Sequence, residues 1–112
     1  MKAKILTTLS DKAQGVIGRD KLDDDEIYIF VNIYPYTEFH MQGVPFPLDI
    51  AFLDQQFGIL DINNMTPNDG RAKAPDKTAY AVEANTGYFN KMGLKQGDFW
   101  KEVANKLQIK EN

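Results

Sequence analysis

The run from Ile27 to Tyr34 constrains this chain most, because as an extended segment it puts Ile27, Ile29, Val31 and Ile33 on one side and Tyr28, Phe30, Asn32 and Tyr34 on the other. Both sides are largely apolar or aromatic. A strand of this kind needs cover on each face, so it predicts a central strand in a layered domain rather than a hairpin lying on the surface. Pro35 supplies the stop, because proline has no N–H to give a sheet ladder.

A chain of 112 residues is one domain, residues 1 to 112. At this size folding buries roughly two-thirds of the surface that an unfolded chain exposes. The hydrophobic share of 43% and the aromatic share of 12% are those of a globular protein. The absence of cysteine excludes disulfides, thiolate metal sites and a cysteine nucleophile. Sixteen acidic and 13 basic side chains leave a net charge of -3 and no polybasic surface for phosphates, which argues against nucleic acid as a partner. After Lys2 and Lys4, the apolar residues Ile5, Leu6 and Leu9 are broken by Thr7, Thr8 and Ser10, too short a core for an export signal. No window approaches the ~18 apolar residues of a membrane span. The expectation is a protein of the cytoplasm, or of a virion if virally encoded, with no membrane partner.

Lys2 to Leu6 reads as an opening strand, and Ser10 as the cap of a short helical turn from Asp11 to Gln14 that Gly15 ends. The acidic run Asp23 to Glu26 is a solvated loop entering the next strand; it lacks the ligand spacing and turn glycine of a calcium loop. Phe39 to Gln42 resumes extended structure before Pro45 and Pro47. Asp49 to Asp54 and Ile59 to Met65 form two strands joined over Gln55, Gln56, Phe57 and Gly58. Thr66 to Thr78, with Pro67, Asn68-Asp69-Gly70 and Pro75, predicts a long exposed loop suited to binding. Tyr80 to Asn85 is a further strand and Gly87 to Met92 a helical turn closed by Gly93. Asp98 caps a final helix carrying Phe99, Trp100, Val103, Ala104 and Leu107, with Trp100 as its anchor.

Several blocks then occur in order: Gly15-Val16-Ile17-Gly18-Arg19, Phe39-His40-Met41, Phe46-Pro47-Leu48-Asp49-Ile50, Gly58, Glu83-Ala84-Asn85-Thr86-Gly87, and Gly93-Leu94-Lys95-Gln96-Gly97-Asp98. In these the chain resembles the family called domain of unknown function 192, small proteins of bacteria, archaea and their viruses, over roughly residues 3 to 100. The resemblance implies a mainly β fold with a minor α part: a compact antiparallel β sandwich or barrel with one or two short helices. The helical spacing from Phe99 to Leu107 adds a C-terminal helix where many relatives finish with a strand. Many relatives also carry a tryptophan where His40 stands, and an export signal. The family brings no established chemistry and no cofactor.

Among chemically capable residues, His40 is the chain's only histidine, and Asp49 is placed to orient it as a general base. The competing reading is a packed histidine alternating with Phe39 and Met41, and it is preferred, since one titratable group does not make a catalytic site. There is no nucleophile elbow, phosphate loop or HExxH pair, and one histidine without cysteine makes a zinc site improbable. Arg19, Asp49 and Glu83 are charges embedded in the family-like blocks, which predicts an internal ion pair among them. Asn64-Met65-Thr66 matches a glycosylation triplet only by chance.

Two functional expectations follow. The first is a non-enzymatic structural or protein-interaction module, in its most concrete form a virion accessory or capsid-decoration protein, binding a protein or itself through tyrosine-rich surface. The second is a small-molecule-binding or weakly hydrolytic protein with a polar pocket around Arg19, His40, Asp49 and Glu83. Neither requires a metal or cofactor.

Overall fold

The computed structural model describes residues 1–109. Seven strands and three short helices follow in the order β1 (Lys2–Leu6), α1 (Leu9–Gln14), β2 (Glu26–Phe30), β3 (Glu38–His40), β4 (Leu48–Leu53), β5 (Ile59–Met65), β6 (Arg71–Lys73), β7 (Tyr80–Asn85), α2 (Tyr88–Lys91) and α3 (Lys101–Ile109). Five strands form one sheet in the order β1-β2-β7-β4-β5, and β3 pairs with β6 in a separate two-stranded ribbon. The expected strands at Lys2 to Leu6, Ile59 to Met65 and Tyr80 to Asn85 are all present. The hairpin from β4 into β5 is held by Asp54, whose Oδ1 accepts from the backbone N–H groups of Gln56 and Gly58, each at 2.9 Å.

Alternation along the strands divides the core between the two faces of the sheet. Ile27, Ile29, Ala51, Leu53, Val82 and Ala84 meet α2 and α3, where Trp100, 1% exposed, packs edge-on against Phe89 with ring centroids 5.4 Å apart. Tyr28, Phe30, Leu48, Ile50, Phe52 and Ala81 face the opposite way, toward the ribbon and Val16, Met41 and Val44. One face is thus covered by helices and the other by two strands and loops.

Several expectations are corrected by this arrangement. The sheet is not closed into a barrel: β1 and β5 lie at its two ends, and five short strands with each face already covered gain nothing by closing. It is not purely antiparallel, because β1 pairs with β2 in parallel. The strand from Ile27 ends at Phe30, before Pro35, since Asn32 takes φ of 56°. That break turns Ile33 away from Ile27 and Ile29 and into the cluster of Tyr28 and Phe30. The strand is nonetheless interior, as expected: β2 lies between β1 and β7, and its residues from Ile27 to Phe30 are buried.

The loop from Thr66 to Thr78 is partly ordered as β6, with Phe39 opposite Ala72, and it buries Ala72, Ala74 and Thr78. Gly70 makes its turn: a Cβ there would stand 2.4 Å from the Thr66 backbone nitrogen, so no side chain fits. Thr8, not Ser10, caps α1 by accepting from the Asp11 N–H at 3.0 Å. Asp98 precedes α3 by too far to cap it and accepts from the Lys95 N–H at 3.0 Å, while Phe99 is exposed. Phe99 bridges Gly58 as an isolated β pair before the chain becomes helical.

Candidate functional site

The four residues singled out from sequence do not converge. Arg19 donates to Glu26, with Nη1 to Oε2 at 2.6 Å and Nη2 to Oε1 at 2.9 Å, and Nη1 also donates to the Tyr28 hydroxyl at 2.8 Å. Its partner is therefore Glu26, not Asp49 or Glu83. This fork-to-carboxylate geometry holds the Glu26 carboxyl below its usual range, mainly through the Arg19 hydrogen bond. Asp49 sits at the start of the β4 face that meets α2. There it accepts from the Gly87 N–H at 2.8 Å and from Asn64 Nδ2 at 2.9 Å. Both oxygens hold the β7–α2 junction, which is a structural task, and neither residue lines the cavity described below.

Glu83 is different. It is the middle member of a row across three adjacent strands, opposite Tyr28 on β2 and Ile50 on β4, and faces the ribbon side of the sheet. Only 5% of it is exposed. Among the described residues it makes no hydrogen bond or ion pair, and burial alone pushes its carboxyl up to about 8. An unpartnered buried carboxyl costs free energy of several kcal/mol when ionised, so at neutral pH it is held mainly as the acid.

Glu83 lines a cavity of about 330 Å³ between the sheet, α1 and the ribbon. The space persists because α1 buries none of its residues: Leu9 is 84% exposed, and the helix bridges the sheet without filling the space beneath it. Gly15 closes the helix at φ of 48°, and a Cβ there would touch the Phe30 ring at 3.4 Å, so the chain drops tightly against the cavity wall. Lys12 reaches over to the end of β2, where its Nζ donates to the Val31 carbonyl at 3.0 Å. Phe30 and Phe39, edge to face at 5.4 Å, make the aromatic part of the wall.

His40 lines the same cavity but from an exposed position at its rim, where Nδ1 accepts from the Gln42 N–H at 3.2 Å. Thus His40 and Glu83 share the cavity, and the packed histidine expected from sequence is in fact solvent-facing, because β3 is an outer strand. The sequence reading missed Lys12, Phe30 and Phe39 as cavity residues. The early end of β2 at Asn32, a residue type tolerant of positive φ, was the one available signal that carbonyls there need another donor.

A second, wider groove of about 840 Å³ lies across the Asn32 to Pro35 segment, beside Asp54, Gln55, Gln56 and Lys77. Thr78 is its buried polar residue, and its hydroxyl already donates to the Pro75 carbonyl at 2.7 Å. The smaller cavity is the better candidate site because, of the two, it is the one lined by a buried carboxyl without a partner among the described residues. Among the described residues no group of three or more His, Cys, Asp or Glu could hold a metal ion, and no helix is long and apolar enough to cross a membrane.

No curated protein matches the chain. A protein of unknown function from Novosphingobium aromaticivorans DSM 12444 has a similar structure, with a TM-score of 0.79 and 29% identity, over 87% of this chain and 71% of the other. So does a protein from Sinorhizobium meliloti 1021 described provisionally as a transcription regulator, with a TM-score of 0.80 and 23% identity, over 87% of this chain and 78% of the other. That likeness is one of fold. The model of DUF192, described as Uncharacterized ACR, matches residues 1–101, and the chain belongs to this domain of unknown function 192 family.

Proposed function

We propose that this domain binds a small, mainly apolar molecule in the cavity above Glu83, with the carboxyl as its polar anchor. The carrying observation is the pairing of an apolar, aromatic-walled space with one buried carboxyl that has no partner among the described residues. Ligand sites commonly combine an apolar lining with a few orienting polar groups, and the volume falls at the small end of their range. Perturbed titratable groups in clefts mark functional sites more often than chance. With His40 at the rim and no nucleophile beside Glu83, binding is favoured over hydrolysis. Arg19 and Asp49 act on the scaffold, so the polar pocket first drawn from sequence contracts to Glu83 and His40.

A protein-interaction role, of which a virion accessory is one version, draws support from two exposed tyrosines, Tyr34 at the cavity lining, 76% exposed, and Tyr36 two residues on, 62% exposed. The two readings separate in one experiment. Native mass spectrometry of protein from its own source is expected to show a bound small molecule at one per chain. Amide NMR shifts with added fragments are expected to map to Phe30, Phe39 and Glu83. A protein complex without any small molecule, together with no fragment-induced shifts at those residues, contradicts the binding proposal and favours the interaction module.

A further inference from the structure

Building on that binding proposal, we infer that the cavity selects organic cations, specifically compact monoamines with an aromatic or aliphatic body, and that Glu83 is their counter-ion. The charges around the cavity are asymmetric in what they leave uncommitted. Glu83 on β7 has no partner among the described residues, whereas Glu38 on β3, at the exposed rim, is paired with the Arg71 guanidinium at 3.8 Å. Lys12 on α1 is the lysine of the lining, and its ammonium is already taken by the Val31 and Asn32 carbonyls, at 3.0 and 3.4 Å. Those carbonyls hold the ammonium at the end of β2 without neutralising its charge. On β2, Tyr28 faces Glu83 in register, but its hydroxyl is engaged by Arg19, whose guanidinium is spent on Glu26. On β4 the register partner is Ile50, which is apolar. The remaining titratable groups of the lining are the exposed Tyr34 and His40, which stands at the rim with Nδ1 accepting from the Gln42 N–H.

An ammonium entering this space meets a carboxyl in a low-dielectric setting, where opposite charges attract far more than in water. It also meets the rings of Phe30 and Phe39, and cations favour aromatic faces. A neutral molecule of the same shape gains the apolar contacts and a single hydrogen bond. An anion gains the apolar contacts and at most a hydrogen bond from the protonated Glu83, gives up its hydration, and forms no ion pair with that carboxyl. The proton balance follows from the same pairing: the amine arrives as R–NH3⁺, Glu83 releases its carboxyl proton to solvent, and the product is an ammonium–carboxylate pair. Burial keeps that proton on Glu83 in the empty site at pH 7, so binding releases close to one proton.

Benzylamine, benzyl alcohol and benzoate, which share a ring and differ in charge, make the test on the intact protein. Affinities come from NMR titration of cavity residues, and proton release from calorimetry in buffers of different ionisation enthalpy. Expected is benzylamine binding about tenfold or more above benzyl alcohol, no saturable benzoate binding, and proton release with the amine alone. Glu83→Gln should lose the amine preference while keeping the benzyl alcohol affinity, which also shows that the variant retains its cavity. Equal binding of amine and alcohol without proton release overturns the cation assignment and leaves a ligand site standing. Absence of any shift at the cavity with all three probes overturns both proposals. The proton-release measurement on the unmutated protein decides the matter even if Glu83→Gln does not fold.

Discussion

Tyr28 and Glu83 are register partners on neighbouring strands, facing the same side of the sheet, yet their polar atoms meet opposite fates. The Tyr28 hydroxyl accepts a 2.8 Å hydrogen bond from Arg19, while the Glu83 carboxyl has no partner among the described residues. The Arg19–Glu26–Tyr28 group closes one end of the layer as a structural clamp, and the cavity opens further along it. The proposed ligand anchor is the unpartnered member of the row.

Stability should depend on pH in two opposite ways. Glu83 rises to about 8 in the folded state from an ordinary 4.5, so the folded protein holds a proton that the unfolded chain gives up. Its contribution is fully present below about pH 4.5 and is lost as pH rises through about 8, with a slope reaching about 1.4 kcal/mol per pH unit. Glu26 is lowered by Arg19, so its contribution is present above its ordinary value and fades as pH falls through its folded one. Urea unfolding from about pH 2 to 9 should show loss at both ends, and Glu83→Gln should remove the alkaline loss alone.

Glu83→Leu should stabilise the protein by about 1 to 2 kcal/mol at pH 8, because an apolar side chain of similar size replaces an unpaired buried carboxyl. Binding of benzylamine should vanish in the same variant. A fall in melting temperature instead would mean that the carboxyl serves the fold.

Arg19→Ala should cost about 1 kcal/mol, well under the cost of stranding a charge in a sealed core. The Arg19 side chain is 38% exposed, so water screens what remains of Glu26 once the guanidinium is gone. A double-mutant cycle with Glu26→Gln measures the coupling directly.

Two packing substitutions should be more severe. Gly70→Ala should cost about 2 to 3 kcal/mol, because the new methyl meets the Thr66 backbone, which has no flexible end to move aside. Trp100→Ala should cost about 3 to 5 kcal/mol by opening a hole beneath α3 against Phe89 and Tyr88. Denaturant midpoints read both.

The strands that bury two faces were legible from alternation: Tyr28 and Phe30 face one layer and Ile27 and Ile29 the other, as their spacing requires. Family blocks carried the overall architecture as far as residue 101. What escaped was decided by contacts distant in sequence. Asn32 at positive φ ended β2 early and reassigned Ile33, and a short β6 formed because β3 was there to pair with it. Glu83 was legible as a residue of interest, since a charge in the middle of an apolar strand must find either a partner or a use. Its isolation was not legible, because Arg19 could have served it from sequence alone and was committed to Glu26 only by the fold. The cavity itself is space that α1 leaves unfilled, and no residue pattern reports space.

The most direct measurement is a carbon-detected NMR titration of the side-chain carboxyls in the ligand-free protein. The account predicts a Glu83 resonance that titrates near pH 8, far above its ordinary 4.5. A Glu83 that titrates near its ordinary 4.5 would mean that the carboxyl is solvated or paired in solution, and the cavity would then have no buried anchor.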